Sequence, residues 1–479
     1  MEIYKTVEEC KKADIVYDDN NYEKYKNDLN VLDNWSDVEN KLINTWNSPK
    51  IKYKPEIITE YDPKNKLQNL LKTICPKYYK QSKDAVHNSL YYMFYKYKGG
   101  FYIRIRDNKL QFYYVHFRNS EYKNPLYNYF KVKESDKHKV SDNPKLWVDT
   151  TGMIRTYYKK CKGHAIDFYY YDMKYFLEQL LLQYKISDCD FIISNKDRLA
   201  IKKDLTESSE EIVGNIKYPL QNEFKFKEYI PIFSFNWNER YSDIPLPTGD
   251  DILRIFQIYI PQNCSSNYEI LPIISWSEKK STAMFRGTFT GISSQIKLNP
   301  RLHISRLNNS WKYDNKYNEN NKIDGICFLN AGISNKGGFF RPRKEINNPY
   351  LEFVDKNYLN NILIDPLTHQ QQSYYKYLIY IEGNAAAYRG AFLFSFESVV
   401  LWVKPYKCHL WFEPYLEHKK NCIMIEHDLS NLAKEIEWLK KNDKKAKQIA
   451  KMGRYLYDTL LTKEPILNYS QYAINFMCS

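Results

Sequence analysis

Hydrophobic positions alternate between helical and strand spacing from about residue 165 onward. Residues 171–184 carry apolar side chains at helical spacing, which predicts a helix. Residues 191–193 and 230–235 are short, almost fully apolar runs, as expected of buried strands. A helix followed by strands of this kind predicts α/β layers.

The same alternation of helical and strand spacing recurs further along the chain. Residues 282–285, 377–381 and 398–403 are predicted strands, and the first two run into loops rich in small and polar residues. Residues 432–460 follow a near-helical period, which predicts an amphipathic helix broken near Gly453.

The first 145 residues are more polar and predict an α+β extension. Residues 36–39 form a capping box that should open a helix through Trp46, and residues 84–97 predict a helix that stops at Gly99. Residues 101–106 and 110–115 flank Asp107-Asn108-Lys109, which predicts a β-hairpin. We therefore expect four regions: an extension (1–145), two α/β lobes (146–265 and 266–465) and a C-terminal tail (466–479).

Composition narrows the classes of function. The chain has 479 residues, a net charge of +14 and 45 tyrosines, and AT-rich codons explain the tyrosines as well as a special role does. The positive charge would attract anions, but it is dispersed rather than gathered into a tail. Nine cysteines without a CxxC pair argue against a zinc site or a disulfide framework. With no visible signal peptide, membrane span or retention signal, we expect a cytoplasmic protein.

Three polar clusters follow predicted strands: Asp197, residues 286–291 and residues 383–389. Open α/β sheets bind ligands outside the carboxyl ends of their strands, so these clusters are candidates for one site. Small residues at 383–387 would let backbone N–H groups approach an anion, and Arg389 could bind a phosphate bidentately. Taken singly, a surface turn or an alanine-rich helix start packed on the sheet explains each cluster as well.

These residues carry a resemblance. Three stretches, 276–288, 299–301 and 375–389, resemble the protein O-glucosyltransferase and capsule-associated glycosyltransferase family. Its pattern is roughly W-x-x-K, F-R-G-S/T, R, and K-Y-x5-G-x-A-A-S-x-R. The resemblance covers about 165–465, and residues 1–150 carry none.

The resemblance implies a GT-B-like fold, with two Rossmann-like lobes facing a cleft. On this resemblance, residues 146–265 form the acceptor-side lobe and residues 266–465 the nucleotide-sugar lobe. It also implies an inverting, metal-independent transfer of glucose or xylose from a UDP-sugar to a hydroxyl of a protein or glycan acceptor, without a cofactor. Asp197, in Asn195-Lys196-Asp197, corresponds to the family's catalytic base, although Lys196 replaces an arginine there. Arg286 and Gly287 are possible additional site residues. The implied donor-binding residues are Thr288, Arg301, Asn384, Ala385, Ala386, Ala387, Tyr388 and Arg389.

Several alternatives stay open. Asp188-Cys189-Asp190 matches the D-x-D metal motif of other glycosyltransferases, but it precedes a strand, so we interpret it as solvated strand-entry residues and expect no metal site. A catalytically inactive binding protein of the same fold is the main alternative, and a basic nucleic-acid-binding protein is a weaker one. The codon bias and the lack of a signal peptide suggest a viral or protist enzyme acting in a host cytoplasm or a virion.

Overall fold

We describe a computed structural model of the chain. The described residues are 35–55, 64–97, 99–116, 145–148, 154–157, 167–194, 196, 199–206, 208, 220, 222–256, 271–291, 299–311, 328–334, 362–383, 385–406 and 408–478. The chain divides into two compact units. Unit 1 holds residues 1–207, 219–269 and 463–479, and unit 2 holds residues 208–218 and 270–462.

Helices and strands alternate along most of the described chain, as the hydrophobic pattern predicts. The helices are α1 (Trp35–Asn44), α2 (Lys66–Ile74), α3 (Lys83–Tyr91, continued by a π-helix, Tyr92–Tyr97), α4 (Asp167–Gln183), α5 (Gly249–Ile255), α6 (Pro300–Trp311), α7 (His369–Ser373), α8 (Gly390–Leu393), α9 (Leu432–Lys441), α10 (Asp443–Leu460) and α11 (Lys463–Cys478). The strands are β1 (Gly100–Arg106), β2 (Lys109–His116), β3 (Lys145–Val148), β4 (Ile154–Tyr157), β5 (Cys189–Ile193), β6 (Ile232–Ser234), β7 (Ile244–Pro245), β8 (Lys280–Gly287), β9 (Leu329–Ile333), β10 (Tyr375–Tyr380), β11 (Val399–Val403) and β12 (Ile423–Ile425).

Unit 1 is built on a five-stranded sheet of order β2-β1-β5-β6-β7. The predicted hairpin is confirmed as β1 and β2, and its two turn residues, Asp107 and Asn108, have φ angles of 52° and 54°. Such left-handed pairs match the twist of the flanking strands in two-residue hairpins. Because β1 also pairs antiparallel with β5, the hairpin shares a sheet with strands that the sequence pattern assigns to the acceptor-side lobe.

The interpretation of Asp188 and Asp190 as solvated residues is wrong. Asp190 is completely buried, and it accepts hydrogen bonds from Arg104 Nε at 2.7 Å and from Tyr102 Oη. Arg106 Nη2 lies 2.5 Å from its other oxygen. Asp188 accepts from the backbone N–H of Asp107 at 2.8 Å. Burial alone would raise the pKa of Asp188, but the hydrogen bonds that it accepts from backbone N–H groups lower it. Both carboxylates therefore fasten the hairpin to β5.

The C-terminal segment differs from the predicted tail. Residues 463–478 form α11, which belongs to unit 1 although it follows unit 2 along the chain. Asn475 accepts from Ser187 N at 2.8 Å and donates to Lys185 O at 2.9 Å. Tyr469 Oη donates to Pro245 O at 2.6 Å. These buried hydrogen bonds fix α11 to the ends of two strands.

The predicted break near Gly453 is also wrong. The helical pattern of residues 432–460 is interrupted at Asn442 instead, and α10 runs through Gly453 without a break. A Cβ at Gly453 would lie 2.9 Å from Asn421 O and 3.1 Å from a ring carbon of Phe394. The glycine therefore permits close packing of the helix. The predicted cap is wrong as well, since Ser36 lies inside α1.

Unit 2 is built on a parallel sheet of order β12-β11-β10-β8-β9. β10 and β11 are buried along their whole length, which explains their uninterrupted apolar sequences. The two sheets, each with parallel strand pairs, are consistent with Rossmann-like lobes. Among the residues that the structure describes, no helix is both long and apolar enough to cross a bilayer.

Candidate functional site

The order of the strands in unit 2 defines one position where a ligand is expected. The chain runs from β8 outward to β9, then returns to place β10 on the other side of β8, and continues to β11 and β12. The loops after β8 and β10 therefore leave the carboxyl edge in neighbouring positions at the point where the strand order reverses. Ligands of open α/β sheets bind in the crevice at such a switch point. The candidate donor loops, 288–291 and 381–389, both begin there.

Arg301 reaches this position from the start of α6. Asn299 caps the helix, because its Oδ1 accepts from the backbone N–H of Arg301 at 3.0 Å and of Leu302 at 3.4 Å. Pro300 occupies the first helical position, where its missing N–H costs nothing. The Asn-Pro pair thus sets where α6 begins and points the next side chain back toward the sheet.

The guanidinium of Arg301 joins the two loops. Nε donates to Glu382 O at 2.8 Å, and Nη2 donates to Ile381 O at 3.0 Å. Nη1 donates to Thr288 O at 3.0 Å and to Thr290 Oγ1 at 2.7 Å. Only 6% of the residue is exposed. Arg301, the predicted diphosphate arginine, is thus buried and connects the loops after β8 and β10, and its positive charge lies against both.

Arg389 adds a second guanidinium to the same place. The carbon centres of the Arg301 and Arg389 guanidinium groups lie 6.0 Å and 5.6 Å from the centroid of the Phe285 ring. Burial, and then the nearby charge of Arg389, lower the pKa of Arg301 to about 9. The positive charge of Arg389 disfavours the charged form of Arg301, and a bound anion that neutralises Arg389 would remove this penalty. The geometry therefore favours a ligand with negative charge.

The loop after β10 is tightly folded. Gly383 N donates to Ala385 O at 2.7 Å, and Ala387 N donates to Tyr380 Oη at 3.0 Å. A Cβ at Gly383 would lie 3.2 Å from Arg301 Nη2, so a glycine lets the guanidinium approach the backbone. Ala385 and Ala386 are buried. Asn384 lies outside the described residues.

The loop ends in α8, which is only four residues long. Its start at Gly390 packs on a pair of stacked rings, Tyr380 and Trp402, whose centroids are 3.5 Å apart. A Cβ there would lie 2.9 Å from atoms of both rings. A helix of one turn has little dipole, so the attraction for an anion depends on the two guanidinium groups rather than on the helix N-terminus that the sequence suggests.

In unit 1, the segment that holds the predicted base is fixed on both sides. Asp197 itself lies outside the described residues. Before it, Tyr97 and Ser194 share a hydrogen bond of 2.7 Å between their oxygens, and the Lys196 ammonium donates to Tyr97 O. After it, Asp243 accepts from the backbone N–H of Ala200 at 2.6 Å. The lysine that replaces the family's arginine thus ties this segment to the end of the π-helix.

Comparison with known proteins decides the family. The model of glycosyl transferase family 90 matches residues 154–476, well over half of the chain. The chain belongs to glycosyl transferase family 90. The match begins close to the start of the predicted resemblance and extends through α11.

Relatives of this family 90 chain come from viruses and animals. It is 28% identical to uncharacterized protein 035R of Invertebrate iridescent virus 3, over 82% of this chain and 36% of the viral protein. It is 26% identical to protein O-glucosyltransferase 1 of Mus musculus, over 54% of this chain and 59% of the mouse protein. To protein O-glucosyltransferase 3 of Homo sapiens it is 36% identical, over 20% of this chain and 18% of the human protein. The chain therefore spans little more than a third of the viral relative.

The two possible additional site residues of this family 90 chain differ from each other: Gly287 lies next to Arg301, where a Cβ would be 3.4 Å from Arg301 Nη1, whereas Arg286 is held at β9. Arg286 points toward β9, where its guanidinium donates to Asn330 O at 2.9 Å and to Asp365 O at 2.9 Å. The Arg286 side chain therefore connects β8 to the edge strand β9 and does not point toward the loops after β8 and β10. Gly287 lies against Phe285, because a Cβ there would meet the ring at 2.7 Å. The smallness of Gly287 leaves room for the ring beneath the two guanidinium groups.

Four further residues contact or position Arg301: Phe285, Thr290, Asn299 and Glu382. The sequence predicts Thr290 as part of the 286–291 cluster, but it predicts no site role for Phe285, Asn299 or Glu382. Of these three, only Asn299 carries a signal, since Asn followed by Pro marks a helix start. In the part of the chain that the structure describes, no three His, Cys, Asp or Glu side chains are grouped as a metal would need. Metal independence stays a prediction.

Asp243 gives this family 90 chain a predictable pH dependence. Burial raises the pKa of its carboxyl to about 6, although Ile201 N and Ser234 Oγ donate to it at 3.0 Å and 2.6 Å. A carboxyl whose pKa is higher in the folded protein binds its proton more tightly there. Its contribution to stability is therefore full below about pH 4 and is lost as the pH rises through about 6.

We expect the stability advantage of the wild type over Asp243→Asn to shrink by about 2–3 kcal/mol between pH 4 and pH 7. Urea unfolding of both proteins at each pH measures it, since other titrations cancel in the difference. Glu223→Gln, at an exposed carboxylate of the same unit, should show a flat difference. A flat difference for Asp243→Asn as well would contradict the raised pKa.

Proposed function

We propose that this chain transfers a glycosyl group from a UDP-sugar to a hydroxyl of a protein or glycan acceptor, with inversion at the anomeric carbon. The observation that carries the proposal is the pair of guanidinium groups over the Phe285 ring, at the switch point of the unit 2 sheet. The family, and the names of its animal relatives, support a glucosyl donor. Similarity to proteins of iridescent viruses supports the hypothesis of a viral enzyme.

The proposed reaction assigns a role to residues of each unit. The acceptor oxygen forms a bond to the anomeric carbon, its proton passes to the Asp197 carboxylate, and the bond from that carbon to the diphosphate breaks. UDP then leaves with added negative charge. Arg389, together with Arg301, stabilises that charge, and no metal is required for the step. On this proposal the two units act as GT-B-like lobes, unit 2 holding the donor and unit 1 the base.

Binding of UDP tests the donor site. At 100 times its Kd, UDP should raise the free energy of unfolding by about 2.7 kcal/mol, and so raise the Tm by several degrees. Arg389→Ala should remove most of this shift, and Arg389→Lys should restore part of it, because a lysine keeps the charge without the bidentate geometry.

The matched control removes a positive charge elsewhere in unit 2. Lys445→Ala, at an exposed position of α10, should keep the full UDP shift. If millimolar UDP leaves the Tm of the wild type unchanged, the proposed donor site is wrong. If Arg389→Ala responds to UDP as the wild type does, the nucleotide binds somewhere else.

A further inference from the structure

Three chain segments leave the carboxyl edge of the unit 2 sheet beside the guanidinium pair. Glu382 follows β10, Tyr406 follows β11 and His427 follows β12. The register of the parallel strands places them within about two residues of one level, since Tyr380 pairs with Trp402 and Val403 pairs with Ile425. Tyr406 and His427 are outside the motifs that indicated the donor site, and Glu382, which lies within the 375–389 stretch, is not among the predicted site residues.

Glu382 links this group to Arg301. Its backbone oxygen accepts from Arg301 Nε at 2.8 Å, while its side-chain Oε1 accepts from the backbone N–H of Tyr406 at 2.7 Å. His427 Nδ1 lies 3.9 Å from the same carboxylate oxygen. One residue therefore holds the guanidinium on one side and the Tyr406 loop on the other.

Tyr406 and His427 form a two-ring surface. Their ring centroids are 5.5 Å apart with the planes tilted by 41°, and His427 Nδ1 lies 3.2 Å from Lys404 O. Tyr406 is 53% exposed, unlike the tyrosines of β10, which are buried. An exposed aromatic ring whose backbone is fixed by a buried carboxylate costs little entropy when a flat ligand stacks on it.

We propose that Tyr406 and His427 form the platform on which the nucleobase of the donor stacks, with Glu382 as the positioning residue that fixes the platform beside the diphosphate. The inference rests on the proposed function, because it takes the ligand to be a nucleoside diphosphate. Its diphosphate would lie at Arg389 and its base over β11 and β12. Stacking holds any nucleobase, so this platform supplies affinity rather than the choice of uracil.

The test separates the two parts of the ligand. Isothermal titration measures UDP and inorganic pyrophosphate binding to the wild type, Tyr406→Ala and Tyr406→Phe. In Tyr406→Ala the Kd for UDP should rise roughly 5- to 150-fold, the range expected for one stacked base. The Kd for pyrophosphate should not change. Tyr406→Phe keeps the ring and should bind UDP within about twofold of the wild type.

The control is Tyr455→Ala, which removes an exposed tyrosine from α10 of the same unit and should leave both Kd values unchanged. An unchanged Kd for UDP in Tyr406→Ala, while Arg389→Ala still weakens it, would overturn the platform and leave the proposed function standing. Equal weakening of UDP and pyrophosphate would show that Tyr406 acts through the fold, and would also overturn it. A wild type that binds neither ligand would overturn both proposals.

Discussion

Asp197→Asn is expected to lower the rate of glycosyl transfer by about 10²- to 10⁴-fold, the usual worth of a general base, while the Kd for UDP stays the same. The amide matches the carboxylate in size but cannot accept the proton of the attacking hydroxyl. The donor loops belong to unit 2 and Asp197 belongs to unit 1. The substitution should therefore lower turnover without weakening the binding of the nucleotide.

Release of UDP from mixtures of UDP-glucose or UDP-xylose with an acceptor measures turnover, and the thermal shift with UDP measures binding. Glu239→Gln makes the same carboxylate-to-amide change at an exposed position of unit 1 and should be fully active. An active Asp197→Asn protein would place the base on another residue. UDP binding without turnover of any donor in the wild type would favour a binding protein of this fold.

Asp190→Ala is the second large effect that we expect, on stability. The substitution leaves the buried guanidinium groups of Arg104 and Arg106 without their carboxylate, and removal of one partner of a buried pair typically costs about 3–5 kcal/mol. The loss should appear as a lower urea midpoint for unfolding of unit 1, which contains β1 and β5.

Glu178→Ala provides the comparison, because Glu178 pairs with Lys174 on the exposed face of α4 at 3.6 Å. Exposed pairs contribute at most about 1 kcal/mol, so this variant should unfold close to the wild type. A comparable cost for the two substitutions would mean that the Asp190 cluster is no more important than a surface ion pair.

The sequence predicts β8, β10 and β11 of unit 2 because a buried strand has a run of apolar residues, but it does not predict β9 and β12 at the two edges of that sheet. It also predicts the hairpin turn, since Asp107 and Asn108 tolerate positive φ angles. It fails at α11, where polar as well as apolar side chains are buried around the whole helix, so that no amphipathic period marks it. It fails at Asp190 because the arginines that neutralise the carboxylate lie 84 and 86 residues away along the chain.

For the candidate site, the motifs located the loops but not the roles of their residues. In the sequence, Arg286 and Arg301 both appear available to bind an anion. In the structure, Arg286 is hydrogen-bonded to β9, and Arg301 is hydrogen-bonded to two loops. These hydrogen bonds depend on backbone carbonyls, whose positions follow from sheet order rather than from side-chain type. Glu382 and Tyr406 meet for the same reason, across 24 residues.

The return of α11 to unit 1 has a consequence for synthesis on the ribosome. Residues 270–462 of unit 2 are made before residues 463–478 exist, although residues 1–207 of unit 1 are made long before both. Until α11 emerges, Ser187 and Lys185 lack the amide of Asn475, and Pro245 lacks the Tyr469 hydroxyl. The surface of unit 1 that α11 covers therefore stays exposed while unit 2 is made. A chaperone that shields apolar surface would act on the first half of the chain during that interval.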